Sequence, residues 1–342
     1  MTFRCTALVA LVLLAVLALR PHGPASVFAA SDSPEVSADE KQVTETIELL
    51  GPTFTRLDTE HFVVLSDCER SWTQARAHLL ERAYHQFTRM TERLGMPARA
   101  PDHKLLCVLI NDYEAYKSFA RSRDNVTAPW VAGYYASYSN RAVFYNDATS
   151  PRFEKARGDG TILPAQARQL DAQAMEVTIS KTLHEATHLI AFNRGLQSRA
   201  HQAPFWITEG LAACFESVTP NQAFGPDHAV ERREKEFDDV VREQRLIPLS
   251  ALVAMNNAPP DDDETASVMY AESYALFRYL YRYKRAALAG YFRDLLEAAP
   301  GLNSPAKHTR MFEARFGDAA SVEKAFLRAW SRRSSLADTG GE

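Results

Sequence analysis

His184, Glu185 and His188 form an H-E-x-x-H pattern within an apolar run that favours a helix. Residues four apart on a helix lie one above the other, so His184 and His188 would present their imidazoles on one face. Two neutral imidazoles at this spacing can bind one zinc ion, with the carboxylate of Glu185 beside them as a general base. The motif therefore predicts zinc-dependent hydrolysis, provided that the chain supplies a third ligand and a cleft.

The third zinc ligand must come from another segment, because catalytic zinc sites usually have three protein ligands and one open position. The longer three-histidine motif is excluded, since Arg194 occupies the position of its last histidine. Glu209 is the remaining candidate, because it lies in the otherwise apolar and aromatic segment 204–212 and a buried carboxylate needs a partner such as a metal ion. The alternative is that Glu209 is a helix-start glutamate favoured by the helix dipole.

A long helix from Gln166 to Arg194 is expected to position the two histidines. Its apolar stripe consists of Met175, Ile179, Leu183, Ala186 and Ile190. His184 and His188 lie off this stripe, which predicts that they face a site rather than the core.

Three segments resemble the gluzincin class of zinc metallopeptidases, and more closely the bacterial peptidase-MA-like families of uncharacterised exported proteins. They are the H-E-x-x-H pattern at 184–188, the W-x-x-E-G-x-A pattern at 206–212 and a Y-x-x-S-Y-like helix at 269–276. The likeness covers roughly residues 56 to 333.

The resemblance implies a Zn²⁺ site with Glu185 as the general base and with three protein ligands, His184, His188 and Glu209. The chain departs from thermolysin-like enzymes at Ala213, where those enzymes have an aspartate that orients a metal-bound histidine. Ligating imidazoles nearly always donate their other N–H, so another residue must accept it. Glu216, expected on the same helix as Glu209, is the candidate.

The reaction also needs a hydrogen-bond donor for the developing oxyanion. Tyr270 and Tyr274 are candidates on the third resembling segment, and His201 is a candidate in a polar loop. The alternatives are aromatic packing for the two tyrosines and a solvated surface position for the histidine. In the resembling class, the edge strand before the active-site helix commonly pairs with an extended peptide, and the strand Arg141–Tyr145 is expected to be that edge.

The composition and the amino-terminal segment indicate an exported globular protein. The chain is 46% hydrophobic and 24% charged, and its formal net charge of -4 gives no basic surplus for nucleic acid. Residues 1–30 match a secretory signal, with Arg4, the apolar run Ala7–Leu19 and small residues up to Ala30. We expect a periplasmic or extracellular protein without a membrane span after signal removal; the alternative is an uncleaved anchor.

Cys68, Cys107 and Cys214 remain after the signal and show neither a disulfide framework nor a CxxC metal site. Buried free thiols are expected, and a bridge between Cys68 and Cys107 is the alternative.

Strand patterns precede helical patterns, which predicts an α+β fold with a small mixed sheet followed by a mostly helical, zincin-like catalytic part. The expected strands are His61–Ser66, Lys104–Ile110, Val131–Tyr135 and Arg141–Tyr145. The expected organisation is a signal peptide at 1–30, a linker with a short helix at 31–55, an α/β subdomain at 56–150 and a helical catalytic subdomain at 151–335.

The sequence as a whole favours a zinc metallopeptidase that acts on a peptide or protein, and it leaves the oligomeric state open. One alternative keeps the zinc site but hydrolyses another bond, because sites rather than folds decide function. A second alternative is a non-catalytic binding or scaffolding protein of the cell envelope with a degenerate motif. The intact Glu185 argues against the second alternative, since a metal-holding scaffold would not need a general base.

Overall fold

The computed structural model describes residues 38–127, 133–158, 163–200, 202–219, 221–259, 262–298 and 304–338. These residues form a small mixed sheet and a larger helical part, which confirms the predicted α+β class. The expected signal peptide at 1–30 lies outside the described residues, as does His201. None of the described helices combines the length and apolar character needed to cross a membrane.

The five strands of the sheet are β1 (Thr55–Asp58), β2 (Phe62–Ser66), β3 (Leu105–Ile110), β4 (Gly133–Ala136) and β5 (Arg141–Tyr145). Their order in the sheet is β1-β2-β3-β5-β4, with β2, β3 and β5 parallel and the outer strands β1 and β4 antiparallel to their neighbours. Every residue of the three parallel strands is buried, as expected for a sheet covered on both faces.

The expectation that Arg141–Tyr145 forms the edge of the sheet is wrong. This strand is β5, and it pairs with β3 on one side and with β4 on the other. The chain reverses between β4 and β5 at Asn140, whose positive φ of 46° suits the turn and lets Tyr135 pair with Ala142. The true edge strand on this side is therefore β4.

Four helices accompany the sheet: α1 (Ala38–Leu50), α2 (Arg70–Arg93), α3 (Tyr113–Asp124) and α4 (Pro151–Arg157). The short helix expected within residues 31–55 is α1, on which Val43 and Thr46 are buried and Val43 packs on strands of the sheet.

The helix that carries the H-E-x-x-H pattern is α5 (Pro164–Asn193). The predicted apolar stripe does not account for the burial of α5. Every residue from Thr178 to Ala191 is buried, whereas Met175, a residue of the predicted stripe, is exposed. The sheet and α2 cover one side of α5 and α6 covers another, so the half of the helix from Thr178 to Ala191 is enclosed on all faces. The two histidines are thus buried as deeply as the apolar residues beside them.

The remaining helices are α6 (Phe205–Ala213), α7 (Glu231–Arg242), α8 (Leu249–Leu252), α9 (Asp263–Tyr283), α10 (Arg285–Glu297), α11 (Pro305–Phe316) and α12 (Ala319–Asp338). Helix α6 was expected to begin at Glu209 but begins at Phe205. Gly210 lets α6 lie against α9, since a Cβ there would be 2.3 Å from the carbonyl oxygen of Ser273. One buried apolar cluster extends from Phe62 in the sheet to Trp330 in α12.

The three cysteines among the described residues are free, with Cys68 half-buried and Cys107 and Cys214 buried.

Candidate metal centre

His184, His188 and Glu209 converge in the interior between α5 and α6. Their ligand atoms all lie within 4.8 Å of one another. The Nε2 atom of His184 is 3.1 Å from Oε2 of Glu209, and Nε2 of His188 is 3.6 Å from Oε1 of the same carboxylate. Glu209 is buried inside α6 rather than at its first turn, so the helix-start alternative does not hold.

The donor set fits a zinc ion. Nitrogen and oxygen ligands lie about 2.0–2.2 Å from zinc, so two ligands of a tetrahedral site are separated by roughly 3.3–3.5 Å. The two observed separations of 3.1 and 3.6 Å lie close to that range. Within the part of the chain that the structure describes, Nε2 of His188 and Oε1 of Glu209 are buried without a hydrogen-bond partner. Such atoms are costly to bury, and a metal ion would satisfy both.

As predicted, the carboxylate of Glu216 accepts a hydrogen bond from the second ring nitrogen of His184, with 2.9 Å between Nδ1 and Oε1. The position differs from the expectation, because α6 ends at Ala213 and Glu216 lies in the segment that follows it. This contact fixes the tautomer of His184 and leaves its Nε2 for a metal.

Two arginines of α7 hold Glu216. Arg233 donates to both of its carboxylate oxygens at 2.7 and 2.8 Å, and Arg232 also donates to it. Burial raises the pKa of Glu216, but the two guanidinium charges outweigh burial and hold that pKa well below its usual range. Sequence reasoning missed both arginines, since the charged run from Glu231 to Glu236 is typical of a solvated helix face.

The pKa values of the three candidate ligands are shifted in different directions. Burial lowers the pKa of His188, whereas the hydrogen bonds to Glu209 and Glu216 overcome burial and raise the pKa of His184 to about 9. Burial also opposes ionisation of Glu209, but the two imidazoles lower its pKa to about 2. A metal ion would displace the proton from His184, because only a neutral imidazole nitrogen can coordinate.

The Glu185 carboxylate faces the edge strand β4. A Cβ at Gly133 would lie 3.6 Å from Cγ of Glu185, so the Glu185 side chain packs against this strand. Burial raises the pKa of Glu185 to about 8, although the neighbouring His184 opposes this shift. A divalent cation beside Glu185 would lower its pKa by favouring the charged form.

The two tyrosines of α9 occupy different environments. The ring of Tyr270 lies 6.4 Å from that of His184, and burial together with the charges of Glu209 and Glu185 raises the pKa of its hydroxyl well above its usual value. The hydroxyl of Tyr274 instead accepts the backbone N–H of Val230 at 3.0 Å. The predicted pair is therefore separated: Tyr270 adjoins the cluster, and Tyr274 has a structural partner elsewhere.

The Glu216→Gln substitution tests whether this carboxylate orients His184. We expect zinc affinity to fall about 10–100-fold, the usual effect of removing a partner that orients a ligating histidine. Glu236→Gln is the matched control, because Glu236 also accepts from Arg232 and Arg233 but is not a partner of His184. Competition with a zinc-binding dye measures the affinity, and equal affinities of the two variants would contradict the orienting role.

The segment that carries the candidate centre is similar to a family of uncharacterised proteins. The model of the family described as a protein of unknown function (DUF1570) matches residues 178–301. This match includes all six predicted site residues: His184, Glu185, His188, Glu209, Tyr270 and Tyr274. None of the curated proteins matches the chain.

Proposed function

We propose that this protein is a zinc-dependent hydrolase that cleaves peptide bonds. The observation that carries the proposal is the convergence of His184, His188 and Glu209 in the interior, with one imidazole nitrogen and one carboxylate oxygen lacking a hydrogen-bond partner among the described residues. The adjacent Glu185 distinguishes this set from a purely structural zinc site, which usually has four protein ligands and no general base.

Two features favour a peptide as the substrate. The patterns at 184–188 and 206–212 resemble those of gluzincin peptidases and of the peptidase-MA-like families. The edge strand β4 lies beside Glu185, and an edge strand offers backbone groups with which an extended peptide can pair. A peptide bound along β4 would have one of its bonds next to the general base.

The chemistry is divided between the metal and the side chains of the protein. A bound zinc ion supplies Lewis acidity toward water and toward a carbonyl group. The carboxylate of Glu185 accepts the proton of the attacking water and then transfers it to the nitrogen of the leaving amine. Glu216 keeps the Nδ1–H of His184 engaged, so that His184 holds one orientation while the reaction proceeds.

Tyr270 is the side chain best placed to donate a hydrogen bond to the substrate oxygen. It is buried, adjoins His184 and keeps its proton because its pKa is raised far above neutrality. A neutral phenol in a site that excludes water can stabilise the negative charge that develops on the attacked carbonyl oxygen.

We also propose that the protein acts outside the cytoplasm, in the periplasm or the extracellular space. The proposal rests on the signal-like pattern of residues 1–30. Exported or denatured proteins are then the natural substrate class.

Glu185→Gln removes the general base while preserving the size of the side chain. We expect hydrolysis of an unfolded protein such as denatured casein to fall about 10²–10⁴-fold, with zinc content unchanged. Glu176→Gln, an exposed glutamate of the same helix, is the control and should retain full activity. Peptide release and elemental zinc are measured on the same samples. Undiminished hydrolysis by Glu185→Gln would contradict the mechanism.

Tyr270→Phe and Tyr274→Phe form a matched pair on α9. Removing the hydroxyl of Tyr270 should lower kcat about 10²–10³-fold with little change in KM, the usual effect of losing an oxyanion donor. Removing that of Tyr274 should leave kcat unchanged and cost about 1–3 kcal/mol of stability, because the N–H of Val230 loses its acceptor. Steady-state kinetics and urea unfolding measure the two effects, and a lowered kcat in Tyr274→Phe alone would reverse the assignment.

A further inference from the structure

A second group of metal-ligating side chains lies outside the centre between α5 and α6. Glu60 and His61 stand just before β2, and Glu81 and His85 lie one turn apart on α2. One ligand atom from each of these four residues lies within 4.8 Å of the others. None of these four residues belongs to the first centre, so this group does not depend on the proposed hydrolase activity.

Two contacts fix the ring of His61. Its Nδ1 is 2.6 Å from Oε2 of Glu81, and its plane stacks on Tyr84 with 3.7 Å between the ring centroids. The other oxygen of Glu81 accepts the hydroxyl of Thr59 at 2.5 Å and the backbone N–H of His61 at 2.8 Å. A histidine with Nδ1 engaged by a carboxylate has its tautomer fixed and leaves Nε2 for coordination.

Two further side chains that could bind a metal ion lie near Nε2 of His61. Oε1 of Glu60 lies 3.8 Å from Nε2 of His61, and the ring of His85 meets that of His61 edge-on at 5.6 Å between centroids. The ion pair with Glu81 explains the position of Nδ1 of His61, but it does not explain why Glu60 and His85 lie near the opposite side of the ring. A cation between His61, His85 and Glu60 accounts for the convergence of all three.

We propose that His61, His85 and Glu60 bind a second divalent transition-metal ion, with Glu81 orienting His61. Two imidazoles and one carboxylate suit zinc and neighbouring first-row metals, whereas magnesium and calcium prefer oxygen ligands. Because His85 and Glu60 are exposed, the ion exchanges with solvent more readily than one held between α5 and α6. It joins the start of β2 to α2, so its binding stabilises the sheet against that helix.

His85→Ala and His78→Ala in the full mature chain test this site as a matched pair. Both histidines are exposed on α2, but only His85 belongs to the cluster. After metal removal, isothermal titration with Zn²⁺ should show one site fewer in His85→Ala than in His78→Ala. The affinity at the second site should fall by at least about 100-fold, since losing a mere orienting partner costs about 10–100-fold.

Glu60→Gln provides a second variant at an exposed position. It should weaken the same site and abolish the part of the zinc-induced rise in Tm that His85→Ala also abolishes, while His78→Ala keeps the whole rise. Equal zinc stoichiometry in His85→Ala and His78→Ala would overturn the proposal. Failure of the hydrolase proposal would appear differently, as loss of the tighter site from both variants alike.

Discussion

The burial of charge between α5, α6 and α7 is the constraint on which the site depends. Glu185, Glu209 and Glu216 are each at most 2% exposed, and the two histidines beside them are equally buried. Buried carboxylates cost free energy unless positive charge or hydrogen bonds compensate them. Arg233 and Arg232 compensate Glu216, which leaves Glu185 and Glu209 facing the imidazoles. The proposed divalent cation would complete the balance.

The rest of the fold serves to hold these groups together. Residues Thr178 to Ala191 of α5 are buried on all faces, so a change in the rotation of this helix would expose apolar residues or bury other polar ones. Helix α6 approaches α9 closely at Gly210, the residue after Glu209. This contact fixes the position of the Glu209 carboxylate relative to α5. The edge strand β4 lies against Glu185 at Gly133. These contacts hold the candidate ligands in fixed relative positions, which would reduce the ordering cost of metal binding.

Local patterns in the sequence predicted the parts of the site that depend on neighbouring residues. The spacing of His184 and His188 and the apolar surroundings of Glu209 sufficed to identify three candidate ligands that the structure brings together. The position of Arg141–Tyr145 within the sheet could not be predicted in the same way, because strand order is set by contacts between distant segments. The burial of α5 on all sides likewise depends on what packs around it.

The partners of the ligands were harder to predict than the ligands. Glu216 was a candidate because it is close to Glu209 in the sequence. The two arginines that contact it belong to α7, whose charged sequence is typical of a solvent-exposed helix. The cluster around His61 was not predicted, because Glu60–His61 and Glu81–His85 are typical surface residues in the sequence. They come together only when β2 packs against α2. In both cases the chemistry arises from tertiary contacts between charged residues that look unremarkable in isolation.

Zinc content of the purified mature protein, compared between His188→Ala and His228→Ala, tests the central claim most directly. His188 is a buried candidate ligand, whereas His228 is exposed and belongs to neither cluster. We expect His188→Ala to contain one zinc ion fewer than His228→Ala after both are purified without chelators. Equal zinc content in the two variants, or no zinc in either one, would contradict the assignment of a metal centre to α5 and α6.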